Sequence, residues 1–164
     1  MKVIWPVLLL IFVGSSLVAA EVPSQVLDLS SWKLTVPEDT SHPGNPDERS
    51  GKDLAQYADA RYFRVAAEGQ AVLFRAPCGG KTTKGSQYPR CELREMTARG
   101  EDEASWGTAD DQRHTMITSL AILKTPAVKQ HVVCAQIHDA DDDLMMIRLE
   151  GKKLFVERNE LPDV

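Results

Sequence analysis

Apolar and polar positions alternate with a period of two along much of this chain, and few stretches carry the 3.6-residue spacing of a helix. Trp32-Lys33-Leu34-Thr35-Val36 is the first such run, closed by Pro37. Residues 38–52 are polar and contain Pro43, Gly44, Pro46 and Gly51, which predicts a long loop. Residues 54–60 read as a helical turn or loop. Residues 62–66 and 71–75, joined through Glu68-Gly69-Gln70, predict a hairpin. A second polar loop over 77–85 leads to a strand over 88–96. Residues 114–123 predict another strand, ended by Pro126, and residues 131–138 another. A last hairpin joins 144–149 to 154–157 around Gly151. Seven or eight short strands, long loops and no alternating helices predict an all-β domain, a sandwich or jelly roll of two antiparallel sheets. Residues 160–164 carry no closing signal, so a domain lacking its C-terminal strands is expected.

The start of the chain breaks this pattern. Lys2 is the only charge before Glu21, and the apolar run at 7–13 is followed by Gly14-Ser15-Ser16 and then Val18-Ala19-Ala20. A basic start, a short apolar core and a small-residue exit predict a secretory signal peptide over 1–20, cleaved after Ala20. The run is short for a span of the bilayer, which needs about 20 residues. Residues 21–164 then form one domain, secreted, with no membrane partner after cleavage. Without Lys2, 18 basic residues face 24 acidic ones, a net charge of −6. That balance argues against sequence-independent nucleic-acid binding. It leaves room for a polyanion if positive charge is gathered in one cleft. Cys78, Cys91 and Cys134 are an odd number in a secreted chain. One thiol is left free, or its partner lies elsewhere. No Cys-x-x-Cys pair supports a zinc site. The acidic run 139–143 lacks the glycine and terminal glutamate of an EF-hand loop and reads as a solvated turn. No metal and no organic cofactor are expected.

Two strands carry the candidate chemistry. In Arg90-Cys91-Glu92-Leu93-Arg94, alternation puts Arg90, Glu92 and Arg94 on one face and Cys91 and Leu93 on the other. Arginine forks match carboxylates. In Gln136-Ile137-His138, the amide and the imidazole share a face, with Cys134 on the same side and Ile137 turned inward. An amide donor beside an imidazole base suits a substrate with a carboxylate and an abstractable proton. His42, His114 and His131 read as structural or exposed. Glu92 and Glu95 fall on opposite faces, which argues against a paired-carboxylate glycosidase.

These residues carry a resemblance. Tyr88-Pro89-Arg90-Cys91-Glu92-Leu93-Arg94-Glu95 resembles the Arg-x-Glu-Leu-Arg strand of polysaccharide lyase family 7, the alginate lyases. Gln136-Ile137-His138 is similar to that family's Gln-Ile/Val-His motif, and Trp32-Lys33-Leu34-Thr35-Val36-Pro37 to its first strand, in the same order. The resemblance implies a β-jelly roll with a groove on its concave sheet, and β-elimination of alginate, an acidic polysaccharide. It implies that Arg90 and Gln136 bind the uronate carboxylate, that His138 joins them and acts as the base at C5 of guluronate, and that Glu92 and Arg94 line the groove. Ile137 at the centre of its motif implies a guluronate preference. Cys91 stands where the family commonly has Ser or Thr. The family's third motif, Tyr-Phe-Lys-x-Gly-x-Tyr with a tyrosine acid, has no counterpart in these 164 residues. Tyr57, Tyr62 and Tyr88 stand in other contexts. A monomer is expected. The competing expectation is a noncatalytic carbohydrate-binding jelly roll using the same basic groove.

Overall fold

The computed structural model describes residues 22–158 apart from 42, 99, 108–112 and 140–142. The expected leader over 1–20, the middle of the acidic turn and residues 159–164 lie outside the described residues. Within them are eight strands: β1 (Trp32–Val36), β2 (Asp47–Ser50), β3 (Phe63–Val65), β4 (Val72–Phe74), β5 (Glu92–Glu95), β6 (His131–His138), β7 (Asp143–Glu150) and β8 (Lys153–Arg158). One short helix, α1 (Gly51–Ala55), and a single 3-10 turn at Pro23–Gln25 complete the secondary structure. Every strand pairing is antiparallel, in three sheets ordered β2-β1-β5, β3-β4 and β6-β7-β8.

β1 forms where Leu34 and Val36 alternate with Lys33 and Thr35. Leu34 and Val36 are fully buried against Leu29, Leu54 and Phe63, with Trp32, Tyr57, Tyr62, Val72, Cys91 and Leu93 packed around them. Fully burying a side chain of this size stabilises a fold by about 1.5–3 kcal/mol. α1 is a single turn that places Leu54 in this core. Phe63 on β3 lies 5.1 Å edge-on from Phe74 across the hairpin and 6.3 Å from Tyr57. The β3–β4 hairpin and β1 therefore follow the alternation of the sequence.

β2 corrects the expected loop over 38–52. Asp47-Glu48-Arg49-Ser50 has no apolar residue to signal a strand, yet it pairs with β1 in full register from Val36 opposite Asp47 to Lys33 opposite Ser50. Asp47 is buried completely. Its carboxylate accepts from the Thr40 and Ser41 amides at 3.1 and 2.8 Å and from their hydroxyls at 2.5 and 3.2 Å. A buried carboxylate is tolerable when its lone pairs are filled in this way.

Gly80 closes the loop after β4 onto this sheet. A Cβ there would stand 2.8 Å from the Pro37 Cβ and 3.1 Å from the Pro89 Cβ, while Lys81 N donates to Pro37 O at 2.9 Å. The close backbone approach ties the end of β1 to the residue before Arg90.

The sheet β6-β7-β8 is longer and less covered. β7 and β8 are joined by a tight turn at Gly151, whose φ of 57° is left-handed and costs glycine nothing. Two register shifts interrupt the β6–β7 ladder, one between Val133 and Ala135 and one between Ile137 and His138. The first shift falls at Cys134, so the simple alternation that would align Cys134 with Gln136 is broken there.

Two further expectations are corrected. The strand over 88–96 shortens to Glu92–Glu95, leaving Arg90 just before it. Residues 114–123 form no strand, because no ladder partner meets them among the described residues and a lone strand leaves its backbone groups unpaired. Most of their apolar side chains stay exposed, Ile117 at 92 % and Leu123 at 78 %.

Candidate functional site

The register of β1, β2 and β5 sorts their side chains by face. Lys33 stands opposite Arg94 and Thr35 opposite Glu92, while Leu34 stands opposite Leu93. Directly opposed residues share a face. One side of this sheet therefore carries the core residues Leu34, Val36 and Leu93, with Arg49 and Asp47 beside them on β2. The other carries Lys33, Thr35, Glu48, Ser50, Glu92 and Arg94. The alternation that places Glu92 and Arg94 away from the core is as the sequence predicts, and Cys91 packs inward with its Sγ against the Tyr62 carbonyl at 3.3 Å. Desolvation pushes the Cys91 thiol up to about 12. It is a structural thiol, since the thiolate is the reactive form.

Arg90 pairs with Glu92 at 3.0 Å. Arg94 approaches Glu103, Nε to Oε2 at 3.4 Å, and its Nη2 donates to Ala104 O at 3.3 Å. Lys33 Nζ lies between Glu103 at 2.7 Å and Glu48 at 3.0 Å. Desolvation alone would lower Lys33, but the two carboxylates outweigh it and hold the ammonium above its ordinary value. The hydrogen bond from Lys33, with the charges of Lys33, Arg94 and His138 behind it, holds the Glu103 carboxyl below the usual carboxylate range despite its partial desolvation.

Gln136 and His138 sit near the end of β6. Gln136 stands opposite Met146, which stands opposite Glu157, and His138 stands opposite Asp143. Arg148, two residues along β7 from Met146, bonds Glu157 at 2.6 Å and Glu150 at 3.4 Å. A guanidinium thus lies on the Gln136 side of this sheet.

β5 and β6 share no ladder, but contacts near both ends hold them together. Near their starts, the Tyr88 ring meets His131 edge-on at 5.9 Å, and Lys129 bonds the Tyr88 hydroxyl. Near their ends, Trp106 N donates to His138 O at 2.9 Å while Trp106 Nε1 donates to Glu95 Oε2 at 2.9 Å. The arginine strand and the Gln-x-His strand are thus joined through Trp106. His114 stacks on the same indole at 5.0 Å, and His131 packs on Tyr88, so both have structural surroundings. Among the described residues no hydrogen bond or ion pair joins Arg90 or Arg94 directly to Gln136 or His138.

Lys33, Glu103, Trp106 and Arg148 were not legible as site residues. Lys33 had a signal, its alternation with Leu34. Glu103 and Trp106 lie in an irregular segment where sequence pattern gives no face. No cluster of metal-ligating side chains occurs among the described residues. A concavity of about 920 Å3 lies elsewhere, between the Pro37–Asp39 corner and the loop bearing Lys81 and Lys84. It is an open polar trough lined by none of the five expected site residues.

A family model described as alginate lyase matches residues 27–162. A curated alginate lyase from Klebsiella pneumoniae is 35 % identical over 117 residues, covering 70 % of this chain and 37 % of the relative. A solved alginate lyase of polysaccharide lyase family 7 superposes with a TM-score of 0.71 at 44 % identity, over 85 % of this chain and 62 % of that one. The alginate lyase from Corynebacterium sp. gives a TM-score of 0.71 at 43 % identity, over 85 % and 61 %. The chain thus spans under two thirds of the length of each of these relatives.

Proposed function

The chain belongs to polysaccharide lyase family 7, the alginate lyases, and from that premise we propose that it cleaves alginate by β-elimination, preferring guluronate and leaving 4,5-unsaturated uronate ends. The observation that supports this reading is the Trp106 bridge, whose backbone N–H donates to His138 O and whose indole donates to Glu95, tying the strand with Glu92 and Arg94 to the strand with Gln136 and His138.

In this reading Arg90 and the Gln136 amide hold the uronate carboxylate, and Glu92 and Arg94 line the groove. Removing the C5 proton, α to that carboxylate, puts a second negative charge on the group. Donors fixed in advance around it stabilise this developing charge more than the ground state, by about 3–4 kcal/mol per donor in well-measured cases. His138 takes the C5 proton, the C5–H electron pair becomes the C4=C5 double bond, and the C4–O bond breaks. The departing oxygen takes a proton. No residue of these 164 is assigned that acid role, since Tyr57, Tyr62 and Tyr88 belong to the core, the hairpin and the Lys129 contact. Ile137 supports the guluronate preference through the family motif only. The same reading takes the full fold as a jelly roll, the residues 1–20 as a cleaved leader, and the protein as a secreted monomer acting on an acidic polysaccharide.

Ultraviolet absorbance on polyguluronate, polymannuronate and pectin tests this. Unsaturated ends from polyguluronate, in excess over the other two, are expected. Binding of polyguluronate without any unsaturated ends would favour a noncatalytic carbohydrate-binding module. His138→Ala is expected to abolish turnover while leaving polymer binding largely intact, and unchanged turnover would remove His138 from the base role.

A further inference from the structure

The charged face of β1 and β5 holds a carboxylate in a way that calls for an explanation beyond pairing. Lys33 and Arg94 are fixed by directly opposed strand positions, with side chains only 17 % and 20 % exposed. Glu103 comes to them from outside the sheet, on the segment that follows β5, and its side chain is 49 % exposed. Its two oxygens divide between the two cations: Oε1 lies 2.7 Å from the Lys33 ammonium and Oε2 lies 3.4 Å from the Arg94 guanidinium. The backbone beneath Glu103 is anchored separately. Met96 bridges to Glu103, Ala104 N donates to Glu95 O at 2.9 Å, and Thr97 N donates to Asp102 O at 2.8 Å. The carboxylate can therefore swing away by side-chain rotation alone, and the two cations would keep their places.

We propose that Lys33 and Arg94 form a second carboxylate site for the uronate polymer, and that the Glu103 carboxylate occupies it as a built-in competitor until a sugar carboxylate displaces it. The proposal rests on the alginate reading above and deepens it. Arg94 stands four positions after Arg90, so in extended chain the second site lies up to about 13 Å from the first. A polymer with one carboxylate on every sugar can reach both. The exchange is close to neutral in energy, because one carboxylate replaces another on the same donors. Its consequence is a weakened hold on short uronates, which must pay the displacement with few other contacts.

The test is binding of a saturated oligoguluronate to the full chain by calorimetry at low salt. Glu103→Gln removes the carboxylate that spans both cations, leaving Glu48 on Lys33 alone, and keeps the shape; binding about fivefold tighter is expected, the size of a partly exposed charge pair near 1 kcal/mol. Glu103→Asp keeps the charge but cannot span both cations, and an intermediate gain is expected. Lys33→Gln weakens binding by a similar factor and cancels most of the Glu103→Gln gain when the two are combined. Glu68→Gln, on the exposed turn between β3 and β4, reports the effect of net charge alone. If Glu103→Gln binds no tighter than Glu68→Gln, or if its gain survives unchanged beside Lys33→Gln, the proposal is wrong. Thermal melts on each variant confirm that the fold is retained, and should Glu103→Gln fail to fold, the Asp and Lys33 variants decide the matter. Unsaturated-end formation by the unaltered protein is read in parallel. Its loss counts against the lyase reading, whereas an unmoved affinity in Glu103→Gln counts against the second site alone.

Discussion

The sheet β2-β1-β5 and the sheet β6-β7-β8 are both antiparallel and both alternate, but their apolar sides meet different surroundings. The first lies over a closed core in which Leu34, Val36, Leu54 and Phe63 are fully buried. In the second no residue is fully buried among the described residues, and Leu154 and Val156 are 64 % and 65 % exposed. Yet the second has the longer strands and the more extensive ladder. Backbone pairing sets which residues face each other, whereas burial sets how much free energy the arrangement gains. The arginine strand inherits rigidity from a packed core, and the Gln-x-His strand inherits position from its ladder and from Trp106.

The largest expected effect lies in the core. Phe63→Ala removes a ring packed between Tyr57 and Phe74 and should destabilise by about 3–5 kcal/mol, read from urea unfolding. Val156→Ala on β8 should stay within about 0.5 kcal/mol. Comparable losses at both positions would erase the contrast between the sheets. Next comes Asp47→Ala, which leaves two amides and two hydroxyls beneath β2 without their acceptor. It should destabilise by about 2–3 kcal/mol in the same measurement.

A smaller effect is expected in alkali. Burial pushes Cys91 from 9.0 to about 12 and Tyr57 from 10.0 to about 12. Across that window the unfolded chain releases protons that the folded chain keeps, so stability falls as pH rises from 9 toward 12. Unfolding midpoints should drop over this range, and less steeply in Cys91→Ala. Iodoacetamide followed by mass spectrometry reads the same burial chemically: exposed Cys78 should label in the folded protein and Cys91 only on unfolding. The smallest effect is expected from breaking the ion pairs Arg61 makes with Glu38 and Asp59 on the exposed edge. Arg61→Ala should leave the unfolding midpoint nearly unchanged, with any shift vanishing at high salt.

Alternation made the faces of β1 and β5 legible because a two-residue period needs only the order of residues. The β3–β4 and β7–β8 hairpins were legible for the same reason, helped by Gly69 and Gly151. β2 was hidden because its four residues are polar and it becomes a strand only by pairing beside β1. Residues 114–123 failed in the opposite sense, having the pattern of a strand and no ladder partner among the described residues. Of the candidate site, the five expected residues stand on or beside the strands predicted for them. What the sequence could not give was their setting: that Glu103 would reach back to Lys33 and Arg94, and that Trp106 would join Glu95 to His138. Both depend on an irregular segment, whose path follows from tertiary contacts and not from any local period.

The close approach at Gly80 has a consequence for how such a chain can drift in sequence. Its backbone is not left-handed, so conformation alone would admit alanine. Space does not, since a methyl group would collide with Pro37 and crowd Pro89. Mutational tolerance at position 80 is thus set by two prolines distant from it in the chain. A variant that shortens neither of them can change that glycine only by moving the backbone that leads into Arg90.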